Sequence, residues 1–461
     1  MRVTPPGGVA IITACLKRAG YHNIELFDAT WYPVDKQEVF TQPDRDVERA
    51  KRQMFPEYKW ERDDLDPSFF MLEDTDMYTS FRKKVIDFKP DVIISSIVED
   101  TYYIWNKFMD QVTDRKFINV VGGVFVTYYP QAFEGKCDYI CRGEGDEAIP
   151  ELMNMIEQGK DGHHLQNFYP NPMRPALNVN TLPPTDHEIF DKRSLYRPFQ
   201  GKIIKIATVE TQRGCPFKCK FCNSPSNAGL YKEETDTFFF RKRNVQHQEE
   251  EIKHLIDTVQ VEFLWIVTDT FLTMSKKGFD EWAEMYSKYK IPFFTQTRPE
   301  LLTPYQARTL KELGCVKMNM GVEHGDPEFR RKVVGRIYEN QKAIDAFAIA
   351  REAGLSTTCN FIIGYPYETM DNCMKSVELA AQLGCNDTNA FIYTPYHGTP
   401  MRDMCVDAGF VDKELKNISQ EAWSKIYRYN NKTNEMENED SGSGRLFSAV
   451  RKNFITRSEE R

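Results

Sequence analysis

The sequence predicts an α/β protein of two units: a Rossmann-like (flavodoxin-like) open-sheet domain over 1–157, then a partial (β/α)6 TIM-like barrel over 201–410. Three observations lead there. Short β-branched runs alternate with amphipathic helical stretches through both regions, the pattern of parallel sheets wrapped by helices. Three later helices stop at Gly314, Gly354 and Gly384, each followed at once by an apolar run, as left-handed caps that turn the chain back into a sheet. A cysteine-rich loop directly follows the first strand of the second unit, where a parallel barrel carries its chemistry.

In the first unit a helix is expected over 9–19, ended by Gly20, and a short strand over 23–28. Residues 29–75 form a long polar and aromatic insertion with Trp31, Trp60, Phe69 and Phe70 and a helical middle over 44–54. The run 91–98 reads as a strand covered on both faces. A second, 117–121, enters Gly122-Gly123, and a third, 138–141, leads through Arg142-Gly143-Glu144-Gly145 to a helix over 148–156. In doubly wound sheets the loops leaving the carboxyl ends of strands hold ligands; here they carry Ser95, Ser96, Gly122, Gly123, Gly143 and Glu144. Residues 158–200, rich in Pro and Asn, read as a linker. The barrel strands are expected at 203–211, 262–268, 291–296, 316–322, 356–363 and 387–393, with amphipathic helices such as 340–353 between them. Residues 411–461 form an extension whose polar stretch 430–444 is expected to be flexible.

Lys and Arg number 60 against 68 Asp and Glu, a net charge of −8. That balance lacks the basic footprint of a nucleic-acid binder and points to a small-molecule substrate. The N-terminus, with one Arg, Thr-Pro-Pro-Gly-Gly and a short apolar stretch, reads as neither a secretory signal nor a membrane span, so a cytoplasmic location is expected. Eight of the 11 cysteines lie outside the loop without framework spacing and read as reduced, mostly buried thiols; Cys137 and Cys141 sit on a strand-like run and read as core.

The loop is Arg213-Gly-Cys215-Pro-Phe-Lys-Cys219-Lys-Phe221-Cys222. Its three thiolates lie close enough in sequence to wrap one corner of an iron-sulfur cube, and no fourth local cysteine closes the site. One iron would then stay open to an outside ligand, as in open catalytic metal sites. A zinc knuckle completed by a distant ligand, or three structural cysteines, are the other readings of this spacing. The pattern resembles the radical S-adenosylmethionine (SAM) superfamily, including the aromatic Phe221 before the third cysteine. The resemblance implies a 4Fe-4S cluster held by Cys215, Cys219 and Cys222, SAM chelated to the open iron, and an electron supplied by a reductant protein such as flavodoxin or ferredoxin.

The other strand ends extend the likeness over 205–405. Asp269, in Thr-Asp-Thr-Phe, stands where the family places a group for the SAM amino function, with a helix N-cap as the plainer reading. Gln296-Thr-Arg298 offers a contact to substrate or to the SAM carboxylate, or equally a surface salt bridge. Glu323, in Gly-Val-Glu-His-Gly, resembles the family's Gly-x-Glu-Ser-Gly with His324 for Ser, and implies an acceptor for ribose or amino groups, with a structural ion pair as the plainer reading. Arg336 implies a partner for the SAM carboxylate. Gly364, in Gly-Tyr-Pro-Tyr-Glu368-Thr, implies a flat turn along the adenine, with Glu368 and Thr369 starting a helix. Tyr393-Thr-Pro-Tyr-His-Gly398-Thr matches the last such motif.

The first unit is similar to the cobalamin-binding domain that precedes the barrel in many of these enzymes, through Pro5-Pro6-Gly7-Gly8, Asp28, Gly122-Gly123 and Arg142-Gly-Glu-Gly145. That likeness implies cobalamin against Ser95, Ser96, Gly122, Gly123, Gly143 and Glu144. It also expects a central first strand before Pro5, where only four residues stand, and the chain has no Asp-x-His-x-x-Gly segment to supply a lower histidine ligand; His22 reads as a surface turn residue. The activity implied is cobalamin-dependent methylation of an unactivated carbon or phosphorus centre. Radical cyclisation or rearrangement without methyl transfer is an alternative, as is a non-catalytic metal-binding interaction protein on a degraded barrel.

Overall fold

The structure, a computed structural model, describes residues 5–32, 65, 67–199 and 202–411. The first helix, Gly7–Arg18, buries Ala10, Ile11, Ala14, Cys15 and Leu16. Beyond it lies a three-stranded parallel sheet, β1 (Val92–Ser96), β2 (Ile118–Gly122) and β3 (Tyr139–Ile140), in that order. The stretch 23–28 is extended but pairs with no described strand. It packs by side chains instead, with Phe27 set edge-on against Phe81 and Phe108. An apolar pattern can specify extension, but a ladder needs a neighbouring strand. Among the described residues β1 is the edge of this sheet, and Ile94 on it and Val98 beyond it are exposed, so the run 91–98 is not covered on both faces as expected.

Of the insertion over 29–75, the helical middle over 44–54 and Trp60 lie outside the described residues. Its ends dock on the segment expected to be a linker. Trp31 is buried, donates its indole N–H to Ser194 Oγ at 2.9 Å and lies under the Arg193 guanidinium at 4.4 Å. Phe69 and Phe70 set their edges against Tyr196. The segment 158–200 is accordingly a packed strap: Leu165, Phe168, Met173, Leu177, Val179 and Leu182 are buried. It ends in β4 (Tyr196–Phe199), which pairs antiparallel with the first barrel strand.

The second sheet is a curled half-barrel in the order β12-β11-β10-β9-β8-β5-β4. Its parallel strands are β5 (Lys202–Glu210), β8 (Phe263–Val267), β9 (Phe293–Thr297), β10 (Cys315–Glu323), β11 (Ser356–Ile363) and β12 (Asp387–Ile392). The short strands β6 (Gln212–Arg213) and β7 (Arg241–Lys242) form an antiparallel ribbon at the mouth. Alternate strand residues, such as Ala207, Leu264, Met318, Met320, Val322, Cys359 and Phe361, face the helices and form the large core. Capping boxes at Thr303 with Gln306 and at Thr369 with Asn372 start two of those helices. Gly314 and Gly384 follow these same two helices, and Gly354 follows the helix Asn340–Glu352, each with positive φ. Among the described residues no helix is long and apolar enough to cross a membrane.

Candidate functional site

The loop that follows β5 brings Cys215, Cys219 and Cys222 to the carboxyl end of the half-barrel, with Cys219 buried and the other two half-buried. Two other segments clamp its middle. Lys220 donates its backbone N–H to Val334 O at 3.0 Å and accepts at its carbonyl from Met401 N at 3.0 Å. Val334 ends a π-helical turn, Arg330–Val334, of the kind that clusters at functional sites. Gly335 follows at φ +81°, where a Cβ would come within 2.7 Å of Lys218 O.

Each sulfur has a polar neighbour. Cys219 Sγ accepts from Arg336 Nε at 3.3 Å and Arg298 Nη1 at 3.5 Å. Cys222 caps the helix Asn223–Thr235, accepting from Ser224 N at 3.4 Å where the helix dipole favours negative charge. Cys215 Sγ lies 3.6 Å from Thr270 Oγ1. Burial pushes the Cys222 thiol up to about 12 and raises Cys215, so these sulfurs ionise only where a cationic centre compensates them. Among the described residues no three His, Cys, Asp or Glu side chains close on a single-ion position, as a closed zinc site requires. Three spread thiols with donors aimed at sulfur fit a 4Fe-4S cluster better than a lone ion.

Arg336, Glu323 and Asp269 stand around the loop, Phe221 lies on it, and Gly364 begins the turn that brings Tyr365 to Phe221. Glu323 pairs with Arg336 at 2.9 Å, both buried. Burial raises the Glu323 carboxyl, and Arg336 and Arg298 pull it back down. Its backbone is left-handed, φ +71°, beside a register shift in β10 that re-aims the side chain. Asp269 accepts from Ser224 Oγ at 2.9 Å, so it is tied to the residue that caps on Cys222 rather than to the start of a helix. It is open to solvent, yet burial by surrounding protein raises its carboxyl; both hold for a group on the wall of a concave mouth. Phe221 lies 6.0 Å from the Arg336 guanidinium and 6.2 Å from the Tyr365 ring.

Gly364 takes φ +81°, and the turn after it hangs on Glu368. That carboxylate accepts from Gly364 N at 2.5 Å, Tyr365 N at 3.1 Å and His324 Nε2 at 2.9 Å. Glu368 is therefore a buried clasp between two strand ends as well as the residue that precedes the expected helix, whose N-cap is Thr369, and His324 in place of Ser is its partner. Arg298 likewise proves to be a support: it pairs with Glu300, stacks on Phe217 at 3.8 Å and reaches Cys219. The only sequence signal for these was the spacing of charged residues just past strand ends.

The front loops give a mixed fit. Ser95 and Ser96 end β1 opposite Val121 and Gly122, beside exposed Val98 and Val124, an open apolar shelf. Gly123, φ +109°, is required by contact with the Ile97 backbone, which a Cβ would approach to 2.6 Å. Gly143, φ +70°, is crowded by the Tyr231 hydroxyl and donates its N–H to Thr127. Glu144 does not face an open crevice as expected. Its carboxylate is held by Arg213 at 2.9 Å and by Arg241 at 2.8 Å, while Asp146 also grips Arg213 at 2.8 Å. Because Arg213 and Arg241 lie on β6 and β7, these acids bolt the front sheet to the ribbon that opens the cysteine loop. A second tie joins Glu99 to His397 at 2.7 Å, with His397 stacked on Tyr129.

Comparison with known proteins agrees with this geometry. Residues 209–380 match the radical SAM superfamily and residues 50–153 match the B12 binding domain. An uncharacterized methyltransferase of Pyrococcus horikoshii is 26% identical over 349 residues, covering 71% of this chain and 72% of that one. The anaerobic magnesium-protoporphyrin IX monomethyl ester cyclase of Cereibacter sphaeroides is 22% identical over 425 residues, covering 86% of this chain but 60% of the cyclase. In fold, the chain resembles the radical SAM methyltransferase TsrM of Kitasatospora setae, solved with cobalamin and a [4Fe-4S] cluster, with a TM-score of 0.58 at 15% identity over 88% of this chain and 74% of that one. The half-barrel with its three-cysteine loop, and the parallel sheet in front of it, thus place the chain in the radical SAM superfamily, with an N-terminal B12-binding domain.

Proposed function

We propose that this protein is a cobalamin-dependent radical SAM methyltransferase acting on an unactivated carbon or phosphorus centre. When bound, the cluster and SAM supply reductive cleavage of a carbon–sulfur bond, and cobalamin supplies a methyl carrier. The observation that carries the reading is the meeting of three thiols with buried Glu323 and Arg336 at the mouth of a half-barrel whose cysteine loop is fastened to the front sheet. Cys215, Cys219 and Cys222 would hold the cluster, while Arg298, Arg336 and Ser224 N donate to the sulfurs and favour their anionic form. Glu323 and Asp269 present carboxylates for the ammonium and hydroxyl groups of SAM, and Gly364 lets its backbone lie flat along a ring. The shelf of Val98 and Val124, with Ser95 and Ser96 beside it, supports cobalamin between the front sheet and the mouth.

Anaerobic reconstitution with iron, sulfide and hydroxocobalamin, followed by gel filtration and incubation with methyl-labelled SAM and a metabolite extract, tests this. Iron and corrin should co-elute with the chain and label should move to an acceptor; Cys219→Ala should lose both iron and SAM cleavage. Wild-type protein that binds no iron would sink the proposal. The cyclase relative favours one alternative, hydrogen abstraction without methyl transfer, recognised by 5′-deoxyadenosine forming while the label stays on the sulfur side.

A further inference from the structure

A patch of cations surrounds the outer side of the cysteine loop in a chain whose net charge is −8. Lys218 and Lys220 flank Cys219, and Arg331 and Lys332 lie on the π-helical turn. The two pairs form one surface. Lys220 Nζ donates to Lys332 O at 2.8 Å, and Gly335 lies directly against Lys218 O. Glu328 pairs with Arg331 and Lys332, while among the described residues no acidic side chain lies within ion-pair distance of Lys218 or Lys220. At the patch stands Ile337, 78% exposed, the most exposed large hydrophobic residue described.

Ile337 follows Arg336, whose Nε touches Cys219 Sγ at 3.3 Å. One residue therefore faces solvent and the next touches a cluster sulfur, so the path from surface to cluster is two residues long. An exposed apolar side chain close in the chain to this cationic surface has the form of a weak, transient docking site for an acidic protein. An acidic carrier approaching a chain of net charge −8 is repelled over most of its surface and attracted here.

We propose that this patch is where a small acidic one-electron carrier protein docks, and that the electron enters along Ile337, Arg336 and Cys219. The inference rests on the cluster reading above. In the step, the reduced carrier loses one electron and the oxidised cluster gains it; no bond or proton moves.

The test uses reconstituted wild-type protein and the variants Lys218→Glu, Arg331→Glu and Ile337→Ala, with reduced flavodoxin as the probe in stopped flow. The second-order rate of cluster reduction should fall about tenfold in each charge reversal, and its dependence on salt should flatten. Ile337→Ala should slow reduction without changing the salt slope. Photoreduced deazaflavin, a neutral reductant that needs no docking, should reduce all four proteins equally. An unchanged flavodoxin rate in the variants overturns the proposal. So does an equal loss with deazaflavin in both charge reversals, which would assign these residues to cluster support. Wild-type protein without iron would instead fail the cluster reading, and iron content separates the two.

Discussion

Replacing Arg213 by Met keeps the length of the side chain and removes the charge that fastens the front sheet to the cysteine loop. The carboxylate most affected is Asp146, whose side chain is only 5% exposed and which receives both Nη groups of Arg213, at 3.0 and 2.8 Å. Glu144 keeps Arg241 and Glu210 keeps Arg243, so the damage concentrates on one uncompensated buried charge. Removing one member of a buried pair costs about 3–5 kcal/mol. At about 2–4 °C per kcal/mol for a unit of 150–250 residues, melting should fall by roughly 6–20 °C. Thermal unfolding followed by circular dichroism reads this directly. Adding Asp146→Asn to Arg213→Met should restore more than half the loss, because the stranded charge is gone. A drop within about 0.5 kcal/mol, the range of ordinary surface substitutions, would refute the reasoning, as would a double variant less stable than the single one.

Three further outcomes are expected. Burial alone would raise the Asp326 carboxyl, but Lys375, the Phe329 N–H and Asn372 hold it down to about 2; the stability it contributes is complete above the unfolded value of about 3.9 and is lost as pH falls toward 2. Lys375→Met should therefore move the acid-unfolding midpoint to higher pH, and an unmoved midpoint would contradict this. Cys359 and Cys385 share a hydrogen bond at 3.2 Å, and Cys359 together with the Thr388 hydroxyl draws the Cys385 thiol down against burial, so iodoacetamide should modify half-buried Cys385 ahead of buried Cys359, and Cys359→Ala should slow that labelling; mass spectrometry of the peptides decides. Gly335→Ala should lower the iron held per chain because its Cβ meets Lys218 O, whereas Gly409→Ala, at φ +73° in open space, should cost about 1–2 kcal/mol of stability and keep its iron; equal iron loss in both would remove the clash argument.

The half-barrel was legible because each of its strands repeats one local event, an apolar run that begins after a helix and its cap. The six expected ranges fall within two residues of β5, β8, β9, β10, β11 and β12. Pairing was legible only where the partner follows that repeat. The extended stretch 23–28 pairs with no described strand, and Tyr196–Phe199, inside an apparent linker, forms the antiparallel edge. The three cysteines stood out by their spacing within one short loop, and the structure brings that loop to the carboxyl end of the half-barrel. The supports did not, because Arg298, Ser224 and Glu368 act across strands far apart in the chain and their residue types occur on any surface. Glu144 illustrates the limit in the other direction: a Gly-Glu-Gly loop at a strand end has the composition of a ligand site, yet two arginines distant in sequence take up its carboxylate.

Glu323 stands in a left-handed backbone conformation that favours glycine. Holding a residue with a Cβ there costs about 1–2 kcal/mol, and burying its carboxylate beside Arg336 adds an electrostatic demand. On the reading proposed above, the position sets durability against catalysis. A lineage selected for heat resistance alone should drift toward glycine at 323 and go silent, while one that must keep turning over retains the strained acid and remains easier to melt. Heat-selected libraries of this enzyme should therefore be screened for activity at every round, because the first stabilising substitution to sweep through would also be the one that disarms it.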